Sequence, residues 1–245
     1  MIDKMKDRIY KSTNYDQRPS KTKIDTLVLH YTGMKSGHAA LDRLCDTKAK
    51  VSSHYVVEED GTVHKLVDCK FRAWHAGKSI WRGRENINDC SIGIEIVNPG
   101  HEYGYKKFPK KQMNSVISLC QSLIEKYPID QRNIVGHSDI APARKQDPGE
   151  LFDWELLAKN GVGIWPDVPK SKPQTMIKKG THGDEVRDLQ TRLARLGYGL
   201  VPDGAYEEPT ELVVKAFQRH YGKTTKIDGT WNTVLDARLD ALLAL

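Results

Sequence analysis

No apolar stretch in this chain approaches the roughly 18 residues that a membrane-crossing helix requires; the densest, Ala241 to Leu245, is far too short. A membrane span is therefore not expected. The first twenty residues also lack the hydrophobic stretch of a signal peptide, because Asp3, Lys4, Lys6, Asp7, Arg8 and Lys11 stand there among few apolar residues. Cysteine is scarce. Its four copies, Cys45, Cys69, Cys90 and Cys120, never form a Cys-x-x-Cys pair, which argues against a thiolate zinc site and for buried free thiols. Charge of one sign is not concentrated either. The net charge of +6 suits a polyanionic partner, but basic and acidic residues are spread over both halves of the chain. With no basic arm and no groove-reading motif, a nucleic-acid partner is not expected. Hydrophobic residues at 38% and charged residues at 29% exclude a disordered or collagen-like chain.

What is present fits 245 residues divided into two unequal domains. Pro166, Pro169 and Pro173 fall within GVGIWPDVPKSKPQTM, a composition suited to an extended linker, and the boundary is expected there. This gives a domain over residues 1–165, a linker over 166–176 and a second domain over 177–245. Upstream, short β-branched runs (Thr26 to His30, His54 to Val57, Val63 to Val67, Ser91 to Val97, Asn133 to Val135) alternate with helical patterns, predicting an α/β fold with a central sheet. Glu59-Asp60-Gly61-Thr62 predicts a hairpin turn, because Asp-Gly readily takes positive φ, so its flanking strands should pair antiparallel. Pro109 opens and Pro128 closes a segment in which Met113, Val116, Ile117, Cys120, Leu123, Ile124 and Tyr127 recur at helical spacing. Downstream, three apolar stripes predict three short helices: Val186 to Leu196, Val213 to Tyr221 and Val234 to Leu242. Asp203-Gly204 and Asp228-Gly229 lie between them and suggest a duplicated helix and loop unit.

Three segments place metal-ligand residue types at or just after strand ends: His30 in VLHYT, His137 in VGHSD and Asp147 in KQDPG. Two histidines and a carboxylate suit a catalytic zinc, which keeps a fourth position for water and lowers that water's pKa towards about 7. Taken singly, each histidine is better read as an ordinary one. Glu95 interrupts the apolar strand SIGIEIV, where a carboxylate needs a partner or a task; a raised pKa would suit a general base, while a solvent-facing strand glutamate is the plainer alternative. Lys145, two residues before Asp147, is either a fixed charge aimed at an oxyanion or a solvated surface lysine.

The motifs TLVLHYT, VSSHYVV with a following EDGTVHKLV, AWHAGKSIWRGRENINDCSIGIEIVNPG and GHSDIAPARKQDPG resemble, in order and spacing, the zinc-dependent N-acetylmuramoyl-L-alanine amidases, a superfamily that includes the AmpD and AmiD amidases and the peptidoglycan recognition proteins. The likeness is to the AmiD type over about residues 10 to 165. The resemblance implies a mixed sheet flanked by helices, with His30, His137 and Asp147 as Zn2+ ligands, Glu95 as the base and Lys145 as the cation that, with the metal, stabilises the oxyanion. The bond cut would join the lactyl group of N-acetylmuramic acid, or its anhydro form, to L-alanine of the stem peptide. Tyr31, His54, Trp74, His75 and Asn88 match positions around the family's cleft and are expected in the substrate pocket. Trp74 and Trp81 can each stack on a sugar face, although a core tryptophan is the commoner case. For His54, sugar or peptide binding and a satisfied interior histidine stand level.

The tail from about Ile177 resembles the three-helix peptidoglycan-binding domain found beside such hydrolases, in its Asp-Gly turns and in Leu189-Gln190 and Phe217-Gln218. Glu207 stands where that family usually has a glycine. The implied partner is peptidoglycan or its muropeptide fragments; the sequence carries no signal of oligomeric state. Two alternatives accompany this reading: a recognition protein that binds muropeptides without cutting them, although such members typically lack a ligand that is present here, and a zinc peptidase acting within the stem peptide. The tail favours the cell envelope or periplasm, the missing leader a cytoplasmic recycling enzyme, and a phage lytic enzyme released without a signal peptide would reconcile the two.

Overall fold

The computed structural model describes residues 10–169, 171–223 and 226–245. Residues 1–9, part of the stretch read above for a leader, lie outside the described residues, as does Lys170 of the proline-rich stretch. Five strands form the central sheet in the spatial order Val63–Lys65, Tyr55–Val57, Ser91–Ile96, Thr26–Tyr31, Ile134–Gly136. The last four run parallel, and Val63–Lys65 returns antiparallel from the Asp-Gly hairpin. Gly61 sits in that turn at φ +93°, a conformation that costs glycine little.

The alternation of side chains along a strand assigns the two faces of the sheet. Leu27, Leu29, Ile92, Ile94 and Ile96 point to one face and are covered by the helix Lys110–Lys126 through Met113, Val116, Ile117, Cys120 and Leu123. Gln112, on the same helix, donates to the carbonyls of Val57 and Val97 at 3.0 and 2.9 Å and so ties off two strand ends. The opposite face carries Val28 and Val135, which pack against the carboxyl-terminal part of the chain. All four cysteines are free thiols; Cys69, Cys90 and Cys120 are buried and Cys45 is half-buried. Among the described residues no helix is long and apolar enough to cross a membrane.

The carboxyl-terminal helices span Asp184–Leu196, Glu208–Tyr221 and Thr233–Ala244. The expected duplication is visible in their loops. Gln190 donates to Asp203 Oδ1 at 2.8 Å and accepts from the Gly204 amide at 2.8 Å; Gln218 does the same with Asp228 and Gly229, at 2.9 Å each. Each buried glutamine thereby holds an Asp-Gly turn against its helix, and a buried amide with both ends satisfied is a strong local constraint. This unit is not merely strung on behind the sheet. Val28, Trp81, Ile87, Val135 and Ile140 share one continuous apolar cluster with Val186, Leu193, Tyr198, Phe217 and Trp231.

Candidate active site

Strand register assembles the site. His30 is paired directly with Glu95 in the parallel ladder, so their side chains leave the same face at the carboxyl end of adjacent strands. On the other side of His30's strand, Leu29 pairs with Gly136, which puts His137 at the neighbouring strand end. Asp147 is brought back to this edge by its own carbonyl, which accepts from the Ser138 amide at 2.9 Å. Ligand sites at the carboxyl ends of parallel strands are the usual outcome in such sheets.

His30 Nδ1 and His137 Nδ1 face each other at 2.9 Å, and Asp147 Oδ2 lies 3.1 and 3.0 Å from them. All three residues are buried and their ligating atoms converge closely enough to hold a metal ion. The far side of each ring assigns its tautomer. His137 Nε2 lies 3.1 Å from the carbonyl of Ala76 and must carry a proton to donate to it. His30 Nε2 meets His75 Nδ1 at 3.1 Å, while His75 Nε2 meets the Ser91 hydroxyl at 3.2 Å; a relay from His30 through His75 to Ser91 leaves His30 Nδ1 as a bare lone pair. Two lone pairs and a carboxylate oxygen then point at one place. One cation among them satisfies all three, and two imidazoles with a carboxylate are a donor set that zinc accepts.

The electrostatics agree. Burial, reinforced by His137, holds His30 down at about 4, so its ring is neutral at neutral pH. Burial alone would raise Asp147, but His137 and His30 beside it keep its carboxyl well below the usual range. Glu95 is the opposite case. Burial, then the Asp147 charge, push it well above the usual carboxylate range, with Lys145 opposing. Its Oε2 is buried with no hydrogen-bond partner among the described residues. A cavity of about 360 Å³ opens on these groups, walled by Tyr31, Trp74, His75, Glu95 and Lys145 among others.

The remaining sequence-derived positions separate. Tyr31 and Trp74 lie on the cavity wall, Tyr31 with its hydroxyl 3.0 Å from His101 Nδ1 and Trp74 with its indole N–H donating to Asp16 at 2.7 Å. His75 borders the cavity, but both ring nitrogens are engaged in the relay, so its place is behind His30. His54 is fully buried: Nδ1 accepts from the Gly93 amide at 3.0 Å and Nε2 meets the Phe71 carbonyl at 3.1 Å. His54 is thus an interior histidine with both ring nitrogens engaged. Asn88 is buried as well, its Oδ1 accepting from the His75 and Ala76 amides at 3.1 and 2.8 Å. It shapes the loop that presents His75 rather than facing the cavity. Trp81 is buried beneath Tyr198 in the cluster shared with the helical unit and offers no face to a sugar.

Sequence reading passed over Arg43, Glu102 and Arg144, which also line the cavity. Arg144 stood beside Lys145 in the same motif, but its anchoring to the carbonyls of Ala76 and Lys78, at 3.0 and 2.5 Å, depends on a loop distant in sequence. Arg18 had no signal at all, although it donates to the carbonyls of Cys69, Asn88, Asp89 and Ser91 and ties together the segments behind the site.

An α/β sheet with two histidines and a carboxylate converging at its carboxyl edge, beside a half-buried glutamate whose Oε2 has no partner among the described residues, is the setting of a metal-dependent hydrolase. The chain belongs to the N-acetylmuramoyl-L-alanine amidase family, whose model matches residues 20–150, and a peptidoglycan binding domain family matches residues 182–233. It is 36% identical over 235 residues to the N-acetylmuramoyl-L-alanine amidase AmiD of Escherichia coli, covering 90% of this chain and 83% of that protein. The 1,6-anhydro-N-acetylmuramyl-L-alanine amidase AmpD of Haemophilus influenzae is 35% identical over 166 residues, covering 60% of this chain and 88% of that protein. The structure of Escherichia coli AmiD in complex with anhydro-N-acetylmuramic acid-L-Ala-D-gamma-Glu-L-Lys superposes with a TM-score of 0.78 at 34% identity, covering 94% of this chain and 92% of that one.

Proposed function

We propose that this chain is a zinc-dependent amidase that hydrolyses the bond between the lactyl group of N-acetylmuramic acid, or its anhydro form, and L-alanine of the peptidoglycan stem peptide. The observation that carries the reading is the convergence of His30, His137 and Asp147 beside Glu95, whose Oε2 has no partner among the described residues, in a chain of this family. His30, His137 and Asp147 would hold the zinc, which when bound supplies Lewis acidity toward a carbonyl and acidifies water in its open position. Glu95, with a carboxyl raised above its usual range by burial, accepts the proton of the attacking water and returns one to the leaving amine of L-alanine. Lys145 sets a fixed positive charge on the same cavity and stabilises the oxyanion. His75 and Ser91 keep His30 in the ligating tautomer. Tyr31 and Trp74 bound the wall on which the muropeptide lies.

The catalytic domain is taken to span residues 1–165, the linker 166–176 and a wall-binding domain 177–245. Tethering the amidase to the wall raises its local substrate concentration, as linked sites generally do, and places its work in the cell envelope. A recognition protein without activity is disfavoured by the complete ligand set and by Glu95. The test is zinc content and turnover of an anhydromuropeptide, compared between the wild type and Asp147→Asn. Stoichiometric zinc with turnover, both lost in the variant, is expected; an active, metal-free wild type would refute the assignment.

A further inference from the structure

Asp139 lies two residues beyond His137, and its side chain is completely buried. Its carboxylate accepts three hydrogen bonds. One comes from its own neighbourhood, the Gly136 amide at 2.7 Å. The other two come from the helical unit: the Tyr198 hydroxyl to Oδ1 at 2.8 Å and His220 Nδ1 to Oδ2 at 2.7 Å. The His220 ring is itself fixed, stacked on Trp154 with centroids 3.8 Å apart and planes 21° apart. Gly136 ends the strand that pairs with the His30 strand, His137 follows it, and the Ser138 amide holds the Asp147 carbonyl at 2.9 Å. The segment that Asp139 fastens therefore carries one member of the metal cluster and is hydrogen-bonded to a second.

We propose that Tyr198 and His220 are positioning residues for the metal site: the helical unit, besides any affinity for the wall, clamps Asp139 and through it sets the backbone that presents His137 and Asp147. Removing the two side chains leaves a buried carboxylate with one donor of three, a state that a folded chain relieves by moving the segment toward water. The inference rests on the ligand assignment proposed above, and its test separates the two.

The experiment uses the full chain with Tyr198→Phe, His220→Ala and His220→Asn; asparagine places an amide donor near the position of Nδ1 and serves as the conservative rescue. Three quantities are read: zinc affinity by chelator competition, kcat and KM on a soluble anhydromuropeptide that needs no wall anchoring, and amide hydrogen exchange of residues 136–147 in metal-free protein. Tyr198→Phe and His220→Ala are expected to weaken zinc about tenfold, the low end for outer-shell partners, and to lower kcat more than KM. Exchange at residues 136–147 should quicken without a change in sedimentation with cell wall, and His220→Asn should recover most of the loss. If His220→Ala fails to fold, Tyr198→Phe, which removes a single hydroxyl, decides the matter. Unchanged zinc affinity and unchanged exchange in a folded variant would overturn the clamp. A wild type that binds no zinc would overturn the ligand assignment instead, while the exchange measurement still reads the clamp.

Discussion

Replacing Glu95 by glutamine keeps the side chain's volume and removes its ability to take a proton. Its register partner is His30, its Oε2 has no hydrogen-bond partner among the described residues, and its carboxyl sits well above the usual range. A positioned general base contributes about 10²- to 10⁴-fold, which corresponds to roughly 3 to 5 kcal/mol of barrier. Turnover of an anhydromuropeptide should therefore fall by that factor, with zinc content and KM unchanged. Stability should move the other way. A carboxyl raised in the folded state contributes stability that is fully present below its unfolded pKa and is lost as pH rises through the folded one. The amide variant should accordingly match metal-free wild type near pH 4 and exceed it at higher pH, by about 1–3 kcal/mol, the cost of an unsatisfied buried polar group. Kinetics on the zinc-loaded protein and urea denaturation of the metal-free protein at pH 4 and 8 read the two effects. Turnover within a few-fold of wild type, or loss of zinc, would refute the role given to Glu95.

Three further outcomes follow from the same geometry. His137→Ala removes one of three converging donors, so added zinc should no longer raise the melting temperature, whereas a retained zinc-dependent shift would show that the ligands lie elsewhere. In Gly93→Ala the new Cβ would stand 2.4 Å from the His75 ring, deep between strands; a loss of about 1–3 kcal/mol by urea denaturation is expected, and no loss would mean the relay can shift freely. His30 and His54 are held neutral by burial, at about 4 and about 3 against an ordinary 6.5. Their contribution is present above pH 6.5 and is lost as the pH falls toward those values, so metal-free protein should weaken steeply between pH 6.5 and 4, by on the order of 3 kcal/mol for His30 alone. A flat stability profile over that range would contradict the burial argument.

Much of the scaffold is legible in the sequence because it rests on local rules. The five strand runs, the Asp60-Gly61 hairpin and the helix between Pro109 and Pro128 all follow from periodicity and turn chemistry, and all are in the sheet or against it. The Asp-Gly turns of the helical unit are legible for the same reason, while Gln190 and Gln218, which hold them, are marked only by the family pattern. The apolar run from Val63 to Val67 outlasts its strand, which ends at Lys65, because Leu66 and Val67 turn into a separate cluster with Leu41 and Leu44. Site residues are legible by chemical type, since His30 and His137 end apolar runs and Glu95 interrupts one. Their convergence is legible only through the family resemblance and not through local rules, because it depends on the register of three parallel strands that the chain joins by long crossovers. His54, Asn88 and Trp81 show the limit from the other side. Whether a polar or aromatic residue faces a cavity or the interior is decided by partners such as Gly93, Ala76 and Tyr198, which lie far away in sequence. Asp139, Tyr198 and His220 carried no signal for the same reason.

The central claim is tested most directly by mass spectrometry of the products formed from purified peptidoglycan and from anhydromuropeptide, with zinc-loaded protein and again after chelation. The account predicts new L-alanine amino termini and free lactyl carboxyls, in the presence of metal alone. The absence of cleavage by zinc-loaded protein that still sediments with the wall would contradict it, and would leave a recognition protein whose assembled site does no chemistry.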